Sequence, residues 1–180
     1  VLSYGQLLSS ADGQYMVQPT GQDQPAVLHY TSGSTGKPKG VLHVHKALNM
    51  HRSTTQEILQ LTDDDIFWCT ADPGWVTGTS YGIIGPCSLG ISQIVYEGGM
   101  NVQKWFEILQ REKVTVWYTA PTALRMIMQE STMDFSRFDL SHLRAIYSVG
   151  EPLNPEILQW SRTNLHKDIY DTYFQTETGA

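Results

Sequence analysis

The sequence predicts an α/β fold, a mainly parallel sheet with flanking helices, and three observations carry that prediction. Short apolar runs rich in β-branched and aromatic residues alternate with stretches of helical period. Polar connections holding Gly, Pro and Thr follow most of the runs. With 180 residues, 41% of them hydrophobic and 17% charged, the chain is large enough for one domain with its own core.

Residues 1–25 are rich in Gly, Ser and Gln and read as a connecting segment, with a short helix near residues 4–10. Residues 26–30 (A-V-L-H-Y) form a short buried strand that leads into a Gly- and Lys-containing loop, and residues 43–61 a helix. Asp63, Asp64 and Asp65 read as a solvated turn. Strands are expected at residues 66–70 and 91–96. Asn101 then caps a helix whose Val102, Trp105, Phe106 and Leu109 fall on one face of a 3.6-residue period. Residues 114–118 form a strand and 123–129 a helix; residues 143–149 form another strand, after which Asn154 caps and Pro155 starts the next helix. Residues 168–174 close the sheet. Trp105, Trp117 and Trp160 fit core faces.

Open α/β sheets bind ligands beyond the carboxyl ends of their strands. Those ends hold the least apolar and most unusual stretches: residues 31–40, 72–77, 119–122, 150–152 and 175–179. All five are expected to face one crevice.

The first of these loops is the richest. Residues 30–40 read Y-T-S-G-S-T-G-K-P-K-G, with hydroxyls at Thr31, Ser32, Ser34 and Thr35, glycines at Gly33, Gly36 and Gly40, and cations at Lys37 and Lys39. Glycines free the backbone N–H groups to face an anion, and lysines meet its charge, so the loop suits a polyphosphate. It departs from a Walker A loop, because only two residues separate Gly33 from Gly36-Lys37 and Pro38 stands where that motif places a Ser or Thr. A flexible hairpin with solubilising lysines would share the composition but not this residue order.

The loop is similar to the phosphate loop of the acyl-adenylate-forming enzymes. The resemblance extends through T-A-D-P-G-W-V-T-G at 70–78, Y-T-A-P-T-A at 118–123, S-V-G-E-P-L-N at 148–154 and D-T-Y-F-Q-T-E-T-G at 171–179. It is closest to the AMP-forming acetyl-CoA synthetase branch. It implies that residues 26–180 are part of the large N-terminal AMP-binding (adenylation) domain, that the chain is an internal fragment, and that the C-terminal domain lies outside it. It also implies ATP and CoA as substrates and Mg²⁺ as cofactor. Thr31, Ser32, Gly33, Ser34, Thr35, Gly36, Lys37 and Lys39 would grip the ATP phosphates, and Gly150, Glu151, Pro152, Asp171, Thr172 and Tyr173 the adenosine. Thr176 would donate to the α-phosphate and Glu177 hold the metal; Lys37, Thr176 and Glu177 form the expected catalytic set. Trp75, Val76, Thr77, Val149 and Phe174 would line the acyl pocket. Acetate-specific members carry a second Trp where this sequence has Phe174, which leaves room for propionate. The ribose-binding Asp, the hinge and the catalytic Lys would lie beyond Ala180, so the 180 residues alone are expected to be inactive.

Each of these residues also has an ordinary structural reading. Gly150 and Pro152 suit any strand-to-helix turn, Tyr173 alone would pack in a core, and Glu177 would sit on a solvated loop. His43 and His45, two apart, lack the i, i+4 spacing of helical metal ligands and suit capping or packing. Other classes are disfavoured. A net charge of −6 without a basic cluster outside the loop argues against nucleic acid, and the apolar stretch 81–95 is too broken to span a bilayer. Cys69 and Cys87, far from C-x-x-C spacing, suit reduced, buried thiols and a cytoplasmic setting. No G-x-S-x-G elbow supports a hydrolase. Two further readings stay open: an adenylation domain feeding a carrier protein, and a nucleotide-binding module without catalysis.

Overall fold

Side chains alternate between two faces along each central strand, and the sequence supplies apolar groups to both. In the computed structural model, which describes residues 3–32, 36–173 and 175–179, five parallel strands lie in the order β4 (Ser92–Gln93), β3 (Ile66–Cys69), β5 (Val116–Thr119), β6 (Ala145–Ser148), β7 (Ile169–Asp171). Trp68, Trp117, Ile146 and Ile169 pair in register across the sheet and point into one core. Phe67, Val116, Tyr118, Ala145 and Tyr147 point into the other. Both faces are covered, so β5 and β6 are buried along their whole length, as central parallel strands are.

The first core is aromatic. The indole rings of Trp68 and Trp117 stack at 6.3 Å with 19° between their planes, and Trp105 meets Trp68 edge-on at 5.5 Å. Trp105 comes from α5 (Val102–Arg111), where Asn101 accepts a hydrogen bond from the Lys104 amide as its cap predicts. Two further helices, α6 (Pro121–Met128) and α7 (Pro155–Asn164), supply Leu124, Ile127 and Ile157 to the same core. Asn154 occupies the N-cap of α7, but its side chain makes no capping bond.

The N-terminal third differs from expectation. After α1 (Tyr4–Ser10), β1 (Pro25–Thr31) does not join the parallel sheet; it pairs antiparallel with β2 (Lys39–Val44). These two strands flank the loop expected to grip phosphate. Leu28 and Tyr30 face outward, 52% and 68% exposed, rather than being buried. The helix expected from residue 43 begins later, as α2 (Ala47–Glu57), because the alternating Val41-Leu42-His43-Val44 continues as strand.

A second difference lies in a stretch for which no helix was expected. Residues 76–89 carry Gly78, Gly82, Gly85 and Pro86, yet form α3 (Val76–Thr79), a π-helical segment (Ser80–Ile84) and α4 (Gly85–Leu89) in succession. Packing decides it, since Tyr81 is buried in the second core and α4 lies against α2. The strand expected at 91–96 shrinks to two residues.

The acidic turn also needs correction. Asp63 and Asp64 are exposed, but Asp65 is buried at 4% exposure beneath Arg144. Cys69 and Cys87 are free, and Cys87 is exposed rather than buried. Among the described residues no helix is long and apolar enough to cross a membrane.

Candidate active site

Register brings the strand ends together. Cys69 pairs with Tyr118, Thr119 with Ser148 and Ser148 with Asp171, so the chain leaves β3, β5, β6 and β7 along one edge of the sheet. Two adjoining clefts open there. One, of about 430 Å³, is lined by Gly150, Glu151, Pro152, Asp171, Thr172 and Tyr173, the six residues expected at adenosine, together with Gln175. The other, of about 550 Å³, gathers Trp75, Val76, Thr77 and Val149 of the expected acyl pocket with Thr176 and Glu177. Gly150, Glu151 and Gln175 line both, so the clefts share a wall.

Hydrogen bonds shape that wall. The Thr172 hydroxyl donates to the Ser148 carbonyl at 2.9 Å and lies 2.7 Å from the Tyr118 hydroxyl, which fixes the start of the 172–179 segment over the sheet. Tyr118 also lines the larger cleft, and burial pushes its phenol well above the usual range. Tyr173, by contrast, is 82% exposed at the mouth of the smaller cleft, not packed in a core.

The larger cleft depends on a close backbone approach. The Trp75 amide donates to the Asp72 carbonyl at 2.9 Å, and a Cβ on Gly78 would lie 2.1 Å from that same oxygen. Only glycine lets α3 start where Val76 and Thr77 reach the cleft. Gly78→Ala is therefore expected to cost about 1–3 kcal/mol of stability, which thermal melts of the full-length protein check.

The fifth loop stands apart. Thr31 pairs with Lys39 at the hairpin's end, and none of Thr31, Ser32, Gly36, Lys37 or Lys39 lines either cleft. Gly33, Ser34, Thr35 and Phe174 lie outside the described residues. Four of the five expected loops thus share the crevice, while the hairpin touches it through the 175–179 turn, where His43 Nε2 donates to the Thr176 carbonyl at 2.8 Å. His43 is a strand residue making a specific contact, which corrects its placement at a helix start.

The sequence matches the AMP-binding enzyme family over residues 3–180. The chain belongs to that family. It is 49% identical over 154 residues to the acetyl-coenzyme A synthetase of Bacillus subtilis, covering 86% of this chain and 27% of that protein. It is 43% identical over 170 residues to the acetyl-coenzyme A synthetase of Pyrobaculum aerophilum, covering 91% and 25%. A crystal structure of a Brucella canis acyl-CoA synthetase superposes with a TM-score of 0.91 at 33% identity, over 98% of this chain and 32% of that one. The anthranilate CoA ligase AuaEII, solved in complex with anthranoyl-AMP, superposes with a TM-score of 0.89 at 26% identity, over 99% and 35%. The chain spans about a quarter of the length of the curated relatives it matches.

Within this chain the structure gives contacts to residues that motif reading left without a role. Thr122 at the start of α6 and Arg125 one turn further along both donate to the Glu151 carboxylate, and Arg125 also donates to the Thr122 hydroxyl at 2.8 Å. The bond from Thr122, with Arg125 beside it, holds the Glu151 carboxyl below its ordinary range. Asp72 lines the larger cleft. His51, buried on α2, donates from Nε2 to the Gly179 carbonyl, and burial lowers its pKa so that the neutral ring is favoured. The signal for these pairs is spatial: Glu151 follows Arg125 by 26 residues, and Gly179 follows His51 by 128.

A larger surface hollow of about 680 Å³ lies elsewhere, between α5, α6 and the 3₁₀ turn Phe135–Arg137, lined in part by Asn101, Met126 and Arg137. It holds none of the expected site residues. Among the described residues no three His, Cys, Asp or Glu side chains cluster as a metal cage. Glu177 is exposed in the larger cleft. Mg²⁺ keeps most of its waters and needs one or two carboxylates plus substrate phosphates, so the donor set fits that ion without a cage.

Proposed function

We propose that the protein carrying this chain is an AMP-forming acetate–CoA ligase. A carboxylate oxygen of the acid attacks the α-phosphorus of ATP and expels pyrophosphate, giving acyl-AMP. The thiolate of CoA then attacks the acyl carbon and expels AMP. The observation that carries the reading is the shared wall: Gly150, Glu151 and Gln175 separate a cleft lined by the adenosine residues from one lined by the acyl residues, with Thr176 and Glu177 beside them. An acid and the α-phosphate held on either side of that wall would be neighbours, as in-line attack requires.

Thr176 donates to the α-phosphate in this scheme, and Glu177 holds Mg²⁺. When bound, the ion neutralises charge on the phosphate oxygens and the departing pyrophosphate. Lys37 and Lys39, with the hydroxyls and amides of residues 31–36, grip the β- and γ-phosphates. Trp75, Val76, Thr77, Val149 and Phe174 set the size of the acid, a selection worth roughly 1–3 kcal/mol per methylene. The ribose-binding Asp, the hinge and the catalytic Lys are assigned to the remaining length of the protein. Relatives named acetyl-coenzyme A synthetase support acetate as the acid, and the neighbour solved with anthranoyl-AMP supports an acyl-adenylate. Free cysteines suit the reducing cytoplasm.

The test is stoichiometry. Full-length protein with ATP, Mg²⁺, acetate and CoA should yield acetyl-CoA, AMP and pyrophosphate in equal amounts. Formation of ADP and phosphate instead would refute the adenylate route.

A further inference from the structure

Two histidines fasten the turn that carries Thr176 and Glu177. His43 projects from β2 of the hairpin, and its Nε2 donates to the Thr176 carbonyl at 2.8 Å. His51 Nε2, one element later on α2, donates to the Gly179 carbonyl. The bonds hold the two ends of a four-residue stretch, and the Thr178 hydroxyl, donating to the Gln175 carbonyl at 2.8 Å, ties the stretch to the residue before it. A third observation is independent of both bonds. Gly179 has φ +81°, and a Cβ there would sit 3.0 Å from His43 Nδ1, so the turn is fitted to that ring. The ring is backed in turn by His29 of β1, with centroids 5.8 Å apart.

The connectivity gives these contacts a consequence. The hairpin that ends in the phosphate loop is not part of the parallel sheet, and the loop's described residues line neither cleft. Among the described residues, His43 ties it to the 175–179 turn. Because the bonds engage backbone carbonyls, the side chains of Thr176 and Glu177 stay free to face the larger cleft.

From this geometry we infer that His43 and His51 are positioning residues, setting the distance between the lysines of the phosphate loop and the Thr176–Glu177 pair so that both ends of one triphosphate are held together. The inference rests on the proposed adenylation and deepens it: a ligand bridging hairpin and turn carries a polyphosphate, whereas the acid touches only the turn's side of the cleft.

His43→Phe keeps a ring against Gly179 and removes the donor; His43→Gln restores an N–H donor at similar reach. In full-length protein, His43→Phe should raise KM for ATP about tenfold, the worth of one hydrogen bond to a carbonyl, with KM for acetate within about twofold. His43→Gln should recover most of the loss. Gly179→Ala, which leaves both histidines in place, should show the same split. An unchanged KM for ATP in His43→Phe, or KM for ATP and acetate rising in parallel with no rescue by Gln, would overturn the inference while leaving the proposed reaction standing. A wild-type protein that adenylates no acid would overturn both.

Discussion

Replacing Glu177 by Ala in the full-length protein is expected to lower adenylation by about 10³-fold or more, the loss of several kcal/mol of charge stabilisation on the reacting phosphates. The fold should be indifferent. Glu177 is exposed, and no hydrogen bond or ion pair ties its carboxylate to another described residue. Thermal unfolding should therefore match the parent protein while ATP–pyrophosphate exchange collapses. Exchange at the wild-type rate would remove Glu177 from the metal site.

Arg144→Met is expected to do the reverse, destabilising the fold by about 3 kcal/mol through a buried charge left without its partner. Arg144 donates from Nε to Asp65 Oδ1 at 2.9 Å and from Nη2 to Oδ2 at 2.7 Å, and it also reaches the Gln60 carbonyl at 2.6 Å. Asp65 accepts three further bonds, from the Thr115 hydroxyl at 2.6 Å and from the Thr62 amide and hydroxyl at 2.8 and 3.1 Å. This cluster ties the entry of β3 to those of β5 and β6, at the end of the sheet opposite the clefts. Burial alone would raise the Asp65 carboxyl, but the bonds from Arg144, Thr115 and Thr62 overcome it and hold the group at about 2, against an ordinary 3.8. The unfolded chain takes up this proton at higher pH than the folded one. The stabilisation is thus complete above about pH 4 and fades as pH falls toward about 2. Denaturant titrations of wild type and Arg144→Met should differ most near neutrality and converge in acid. An Asp65→Asn/Arg144→Met double variant, with no unpaired charge, should recover part of the loss.

How much of this was legible depended on how local the cause was. The strands at 66–70, 114–118 and 143–149 showed because parallel strands buried on both faces need continuous apolar runs, and α5 showed because its apolar residues keep helical spacing over a capped start. The expected adenosine residues are brought together because their loops follow adjacent strands. Four features were hidden. The hairpin was missed because Val41-Leu42-His43-Val44 sits between a loop and a helix, and its partner strand is chosen by pairing. The helix over 76–89 was missed because its glycines and proline oppose it locally; Tyr81 and α2 stabilise it from a distance. Asp65 and Arg144 are 79 residues apart, and the run of three aspartates gave no sign that the third would be buried. The histidines fell to the same limit, since their partners are backbone carbonyls that no motif displays.

The most direct test of the central claim is ATP–pyrophosphate exchange by the full-length protein, with acetate, propionate, butyrate and isobutyrate as separate substrates. Exchange that requires an acid and runs fastest with acetate is the predicted result, and a maximum at propionate would keep the adenylate chemistry while pointing to Phe174 as the residue that widens the pocket. No exchange with any of the four acids would contradict the account and leave a nucleotide-binding module without this chemistry.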